Sequence, residues 1–505
     1  IFNYIINKWC HNRLRIYPQN LSDNSERETM ESLNLLSQQS AILLILSLSF
    51  IFVFFGIIYS NKFRGINNYL VANRSVGAFS LSTSLVASAL GAWILFGPAS
   101  AATWGGIGAV IGYALGTAFP FFILIYLGEK FRKVYPEGKT LTQIIRIKFG
   151  KKLFKLILFL SIFYMTIFLI AELTAVSILI KYISGVDLWI TALIVISSSL
   201  IYTLRGGLRA SIFTDNIQFI IIGILLLIGF SYLIQFNANE FNFEYIKINK
   251  PYLLDTKYLP NFTAGLTFFI AVAATNLFHQ GNWQRVYAAK DNKVLKKSLV
   301  ISFLITIPVV FLMGFSGLIA VSSDSKVIPD LAFFSLLLKE QTISLSIIII
   351  ILGISLTISS IDTLINAISS LVVVDGKSFF ISKRDYLVFS KYIIILLSII
   401  ALIVASKGLS ILYLFLLADL FCCSAVLTIF YSFYNKQIKE KNAYISIIVG
   451  LTCGLLLFPS TDFSNSILIG ILFPHDFFPA FMSQSLLFMS FLVATFVPYL
   501  TWKIK

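Results

Sequence analysis

The sequence predicts an all-α protein that crosses a membrane many times, with about thirteen transmembrane helices. Hydrophobic residues make up 58% of the 505 positions and charged residues only 12%, which leaves too little polar surface to cover a soluble globule. Long apolar segments recur along the chain, and most are close to the roughly 20 residues that a helix needs to cross hydrocarbon. Lys and Arg are concentrated in alternate loops, as in polytopic membrane proteins.

The apolar segments define the predicted domain organisation. They lie near residues 41-60, 78-104, 107-127, 157-180, 188-204, 212-235, 262-280, 299-321, 342-374, 386-406, 409-433, 444-458 and 481-502. We interpret them as a leading transmembrane helix (41-60), two sets of five helices (78-235 and 262-433) and two C-terminal helices (444-502). A polar tail, residues 1-40, precedes them.

The basic residues predict how the chain is oriented in the membrane. Alternate loops starting with 61-77, together with the C-terminus, carry 28 Lys and Arg, whereas the loops on the other side carry 7. This bias places the C-terminus in the cytoplasm and the N-terminus outside, in the plasma membrane, or the inner membrane of a bacterium. The net charge of +16 therefore marks the inner membrane face and not a nucleic-acid site.

The basic residues of the tail conflict with an external N-terminus. They are Lys8, Arg13, Arg15 and Arg27, and all four precede Met30. Our hypothesis is that residues 1-29 are an upstream extension that does not belong to the native protein and that Met30 is the natural start.

The segment from Thr342 to Val374 contains one charged residue, Asp362. An ionisable residue in a spanning helix is costly and by default marks an ion or substrate path. Polar residues share one helical face with it, namely Ser355, Ser359, Thr363, Asn366 and Ser370. A ligand set made only of oxygens favours a hard cation. The alternative is a serine stripe that packs one helix against another.

The first helix of each five-helix set is predicted to be interrupted. The segment from Ser80 to Gly106 contains Gly91, Gly97 and Pro98, which favour a break. The corresponding region of the second set, Ala271 to Asn282, ends in several polar residues. Inverted-repeat transporters use such unwound backbone at the membrane midplane to coordinate ions. The alternative is close packing of helices through small residues.

Four motifs carry a resemblance to a known family. They are YPEGKTLTQ (135-143), RGGLRASIFTDNIQ (205-218), NWQRVYAAKD (282-291) and SSIDTLINAISS (359-370). Together they resemble the sodium:solute symporter family, which includes proline, pantothenate, sialic acid and sodium/glucose cotransporters, over roughly residues 63-435. The resemblance implies a LeuT-type five-plus-five inverted repeat with an extra leading helix. It also implies sodium as a transported ion.

The family's main sodium site can be carried over position by position. By resemblance, backbone carbonyls of Ala87 and Leu90 come from the broken first helix, and the carbonyl of Leu356 comes from the segment around Asp362. The hydroxyls of Ser359 and Ser360 complete the set. A carbonyl ligand does not depend on its side chain, so a leucine at these positions is compatible with the site.

A second sodium site follows from the resemblance to the sialic acid transporters of the family. The matching positions are Ser359, Thr363 and Asp215, together with Asp362, which replaces a hydroxyl by a carboxylate. Some proline transporters carry a carboxylate where this chain has Ala89, so that ligand is absent or relocated. Asp362 either strengthens cation binding or takes up a proton.

A transported solute is expected between the two interrupted helices. The predicted contacts are Ala92 and Trp93 on the first, and Val272 and Asn276 on the second. The predicted function is sodium-coupled symport of a small organic solute, either a proline-like amino acid or a carboxylate, by alternating access.

The partners of two further carboxylates are left open by the sequence, and three functions are alternatives to sodium symport. Glu172 and Asp419 each stand alone in an apolar run and need partners. A proton-coupled symporter and a transporter-like membrane sensor are the alternatives to sodium symport. A membrane enzyme is disfavoured because common hydrolase and phosphate-loop motifs do not occur.

Overall fold

The computed structural model describes residues 32–63, 65–237, 243–323, 327–339, 342–376, 386–434, 438–461, 466–468 and 482–501. The hypothesis on residues 1-29 and Met30 lies outside these ranges, as do residues 502–505. The described part is almost entirely helical, as the composition predicts.

Helices follow one another along the whole described chain. In the first half they are α1 (Gln38–Ser60), α2 (Ile66–Val71), α3 (Ala78–Ala89), α4 (Gly97–Val134), α5 (Leu141–Lys148), α6 (Lys151–Ser184), α7 (Leu188–Asn237) and α8 (Phe243–Asn249). In the second half they are α9 (Leu259–Phe278), α10 (Gln280–Ala288), α11 (Asn292–Ser323), α12 (Ala332–Leu337), α13 (Ile343–Asp375), α14 (Tyr386–Ala405), α15 (Ile411–Ser432), α16 (Glu440–Leu457) and α17 (Met482–Thr501).

Ten helices of the described part are long and apolar enough to cross a membrane. One of them, α7, has 50 residues and would measure about 75 Å if it were straight, more than twice the thickness of a hydrocarbon core. It breaks at Gly207 (φ 58°, ψ −152°), and α4 breaks in the same way at Gly106 (φ 58°, ψ −154°). This backbone region is essentially restricted to glycine, and both breaks fall between segments that the sequence separates.

The first predicted interruption is present between α3 and α4. Helix α3 ends at Ala89, Leu90 leaves helical geometry (φ −97°, ψ 82°), and Gly91 is extended. A short 3-10 turn, Ala92–Leu95, leads into α4, which begins at Gly97. The carbonyls of the last turn of α3 therefore lack the helical partners that a continuous helix would provide.

The second interruption separates α9 from α10. Helix α9 ends at Phe278, His279 is extended (φ −60°, ψ 111°), and α10 begins at Gln280. Helix α13 packs against α3, α6 and α7, and α15 packs against α6 and α9. Both interrupted helices thus face the long buried helices that carry the conspicuous carboxylates.

Small residues bring α4 and α9 into close contact. Gly108, Gly112 and Gly116 follow one another at intervals of four residues on α4. A Cβ atom at Gly112 would lie 2.1 Å from the carbonyl oxygen of Gly265, and one at Gly108 would lie 2.1 Å from that of Asn261. The backbones therefore approach each other as in small-residue interfaces of membrane helices.

The Gly112→Ala variant is expected to lower the thermal unfolding midpoint of the detergent-solubilised protein. An added methyl group there forces the two backbones apart, and overpacking of this kind costs about 1–3 kcal/mol. Gly223→Ala is the matched control, because a Cβ at Gly223 meets nothing within 4 Å. Equal midpoints for the two variants would contradict the close contact.

Candidate functional site

Glu172 lies at the interruption between α3 and α4. Its side chain is buried on α6, and its Oε2 accepts a hydrogen bond of 2.8 Å from the backbone N–H of Ala92. A Cβ at Gly91 would lie 2.0 Å from Oε1 of Glu172 and 2.6 Å from Oγ of Ser360. Because Gly91 has no side chain, the carboxylate and the Ser360 hydroxyl both reach the interrupted backbone.

Three of the residues predicted for the main sodium site, Ala87, Leu90 and Ser360, lie at this interruption. Ala87 and Leu90 belong to the end of α3, and Leu356, Ser359 and Ser360 lie on α13; all are buried. The Ser360 Oγ has no hydrogen-bond partner among the residues that the structure describes. Ser359 donates its proton to Oδ1 of Asp215 at 2.6 Å, so the lone pairs of its oxygen stay available. An orphaned buried hydroxyl next to released carbonyls fits a small cation such as sodium.

Asp215 forms a buried ion pair that sequence reasoning missed. The Nη2 of Arg285 lies 2.7 Å from Oδ2 of Asp215, and both side chains are fully buried. Ser84 donates to the same carboxylate oxygen at 2.6 Å. Arg285 also donates through Nε to Ser84 at 2.7 Å and through Nη2 to Thr363 at 2.9 Å. Four helices, α3, α7, α10 and α13, therefore meet at this cluster.

Asp362 is held by hydroxyl donors from α7 and not by a basic side chain. Tyr202 donates to its Oδ2 at 2.6 Å, and Ser211 donates to its Oδ1 at 2.8 Å. Thr214 adds a longer bond of 3.2 Å to Oδ2. The adjacent Thr363 links Asp362 to Arg285. The four residues predicted for a second cation therefore lie in one network, and Arg285 already supplies one positive charge to it.

Trp93, one of the predicted solute contacts, lies in an aromatic group. Its ring stacks on Tyr113 with centroids 5.8 Å apart and meets the edge of Phe415 at 6.5 Å. Tyr113 in turn stacks on Phe268 at 4.4 Å. Trp93 is only partly buried, whereas the neighbouring Ala92 is fully buried and contacts Glu172 through its backbone.

The predicted contacts on α9, Val272 and Asn276, lie on either side of Thr275 in the sequence, and Thr275 contacts Asp419. Thr275 donates to Oδ1 of Asp419 at 2.7 Å, and the next residue, Asn276, donates to the carbonyl of Val272 at 3.0 Å. Asp419 stands one helical turn from Phe415 on α15, so the two side chains share a face. Helix α15 therefore bridges the aromatic group and the second interruption.

Another carboxylate, that of Asp330, lies in the connection between α11 and α12. Its Oδ1 accepts a hydrogen bond of 3.0 Å from Ser100 on α4. Burial raises the pKa of the Asp330 carboxyl above its usual value, and the hydrogen bond from Ser100 acts in the opposite direction. A Cβ at Gly97, three residues before Ser100 on the same helix, would lie 3.0 Å from the hydroxyl oxygen of Tyr113.

The fold is that of a multi-pass membrane protein of the LeuT type, with two interrupted helices at its centre. The model of the sodium:solute symporter family matches residues 69–450, and the chain belongs to that family. Among solved structures it is similar to a Na+-coupled sialic acid symporter in a substrate-bound outward-open state. That similarity has a TM-score of 0.67 and 17% identity, and covers 91% of this chain and 98% of that one.

Curated relatives include transporters of different solutes. The chain is 27% identical over 405 residues to the spermidine transporter DUR31 of Candida albicans, which covers 78% of this chain and 74% of the relative. It is 31% identical over 178 residues to solute carrier family 5 member 4A of Mus musculus, which covers 33% of this chain and 26% of that protein. These relatives and structural neighbours are transporters and not enzymes.

Proposed function

We propose that this chain is a symporter that uses the inward sodium gradient to take up a small organic solute by alternating access. We place it in the plasma membrane with its N-terminus outside and its C-terminus in the cytoplasm. The observation that carries the proposal is the unpartnered Ser360 hydroxyl beside the interrupted end of α3. With the Ser359 hydroxyl and the carbonyls of Ala87, Leu90 and Leu356, it supplies a set of oxygens for sodium.

Three classes of solute are candidates for the site around Ala92, Trp93, Val272 and Asn276. A proline-like amino acid and a carboxylate follow from the family resemblance. The spermidine transporter among the relatives adds an organic cation.

Uptake into proteoliposomes tests the transport function directly. We expect accumulation of the solute with an inward sodium gradient and little accumulation when potassium or choline replaces sodium. Uptake that follows a proton gradient regardless of sodium would support the proton-coupled alternative. Solute binding without any uptake would support a sensor.

The Ser359→Ala and Ser360→Ala variants are expected to raise the sodium concentration needed for half-maximal uptake. Each removes one oxygen from a small ligand set, and solute affinity should fall with sodium affinity through linkage. The matched control is Ser346→Ala on the same helix, because the Ser346 hydroxyl is buried and donates only to its own helix at Thr342. Unchanged sodium dependence in both test variants would reject the site.

We also propose that a second cation binds where Asp215, Asp362, Ser359 and Thr363 meet. The support is the carboxylate of Asp362, which is buried among hydroxyl groups. The charge of Arg285 at the same cluster makes Asp362 the decisive residue for this second ion.

A further inference from the structure

Two buried carboxylates beside the interrupted helices lack a basic partner. Neither Glu172 nor Asp419 forms a salt bridge with a lysine or arginine within the described residues, although both are nearly inaccessible. A charge buried in a membrane protein without a partner is costly. A cation that arrives from outside the chain would provide the missing charge.

The position of Glu172 limits which chemical group of a solute can bind at the interrupted helix. In transporters with broken helices, the backbone N–H groups after the break commonly face an anionic group of the substrate. Here the Ala92 N–H already donates to the chain's own carboxylate. A solute carboxylate would find that donor occupied and would be repelled by Glu172. The geometry therefore disfavours anionic solutes and amino acids bound through their carboxylate.

Asp419 stands where a positively charged group would be recognised. It shares a face of α15 with Phe415, whose ring contacts Trp93, and the Tyr113 ring stacks on Trp93. A carboxylate beside aromatic rings is the usual environment for an ammonium group.

We propose that the transported solute is an organic amine cation whose ammonium group pairs with Asp419 against the rings of Trp93, Tyr113 and Phe415. Asp330 accepts a hydrogen bond from Ser100, which follows Gly97 by three residues on α4, and a Cβ at Gly97 would lie 3.0 Å from the Tyr113 hydroxyl oxygen. Asp330 receives a second ammonium group in a diamine. The proposal rests on the proposed sodium-coupled transport and names the substrate class of that same site.

The test measures sodium-driven uptake of labelled 1,4-diaminobutane into proteoliposomes. Excess unlabelled 1,4-diaminobutane and butylamine are expected to compete, and the diamine to compete better, whereas proline, succinate and glucose should not. The Asp419→Asn variant keeps an acceptor for Thr275 but removes the charge. Its uptake is expected to fall about tenfold or more, as for loss of one partner in a desolvated charge pair.

Two variants and one binding measurement distinguish the loss of the Asp419 charge from misfolding and from loss of the sodium site. Asp419→Glu retains the charge and should retain more uptake than Asp419→Asn, while Asp187→Asn, at an exposed carboxylate, should behave as the unaltered protein. Sodium should stabilise purified Asp419→Asn against heat as it does the unaltered protein, which shows that the variant folds and keeps its sodium site.

The outcomes distinguish this inference from the transport function itself. Sodium-driven uptake of proline or succinate that amines do not inhibit would overturn the amine proposal and leave the symport proposal standing. Undiminished diamine uptake by Asp419→Asn would show that Asp419 does not bind the solute. Diamine uptake that does not depend on sodium would overturn the proposed coupling while keeping the substrate class.

Discussion

The Arg285→Gln variant is expected to lose nearly all transport and to unfold at a lower temperature than the unaltered protein. Arg285 and Asp215 are fully buried and 2.7 Å apart, and removal of one partner leaves an uncompensated charge. Such a loss costs about 3–5 kcal/mol. Sodium-driven uptake and the thermal unfolding midpoint in detergent measure the two effects.

A double variant separates charge balance from the loss of individual hydrogen bonds. Asp215→Asn combined with Arg285→Gln leaves no unpaired charge, so part of the lost stability should return although transport stays low. Arg205→Gln changes an exposed arginine and should leave stability unaltered. If the double variant is as unstable as Arg285→Gln alone, the pair is not the source of the stability.

Much of the membrane architecture could be predicted from local sequence features. Apolar length determines where a helix can span, and the residues that oppose helix continuation, such as Gly91 and Pro98, stand where α3 and α4 separate. The shared face of Ser359, Asp362 and Thr363 follows from helical periodicity alone. These features depend on neighbours within one or two turns.

The partners of the buried groups could not be predicted in the same way. Tyr202 lies 160 positions and Ser211 lies 151 positions from Asp362 in the sequence, and nothing local marks them as its donors. Glu172 was conspicuous as a lone charge, but its partner is a backbone N–H released by the helix interruption. Because a backbone N–H does not depend on the type of side chain, the sequence could not identify this donor.

Arg285 lies between the predicted segments 262-280 and 299-321, so the count of Lys and Arg included it in a cytoplasmic loop. The structure instead buries it in α10, a helix in which every residue is buried. A helix of this kind has no exposed face, so polar and apolar residues do not alternate with a helical period. The polar residues around Arg285 could be interpreted as a loop until tertiary contacts were known.

The Arg285 cluster connects the two predicted five-helix sets. Ser84 and Asp215 belong to the first set, whereas Arg285 and Thr363 belong to the second. Alternating access requires one set of helices to move relative to the other. Movement of α3 or α10 therefore changes the partners of Asp215, and an ion bound at Ser359 acts on the same carboxylate.

The sodium Hill coefficient of uptake is expected to lie above one and to fall to about one in the Asp362→Asn variant. Arg285 already neutralises Asp215, so Asp362 is the carboxylate that can compensate a second sodium. Without it, the hydroxyls of Ser359 and Thr363 would hold that ion weakly. Sodium at the main site should still support some transport, and initial uptake rates over a range of sodium concentrations measure the coefficient.

A comparison of uptake under sodium gradients and under proton gradients decides whether Asp362 binds sodium or a proton. A second sodium predicts that the coefficient stays above one in the Asp187→Asn control and that a proton gradient alone drives no uptake. The Asp362→Asn substitution keeps the volume of the side chain and removes its charge. A change in the Hill coefficient therefore reports the second ion and not lost packing. A coefficient of one in the unaltered protein, with uptake that follows a proton gradient, would show that Asp362 carries a proton instead.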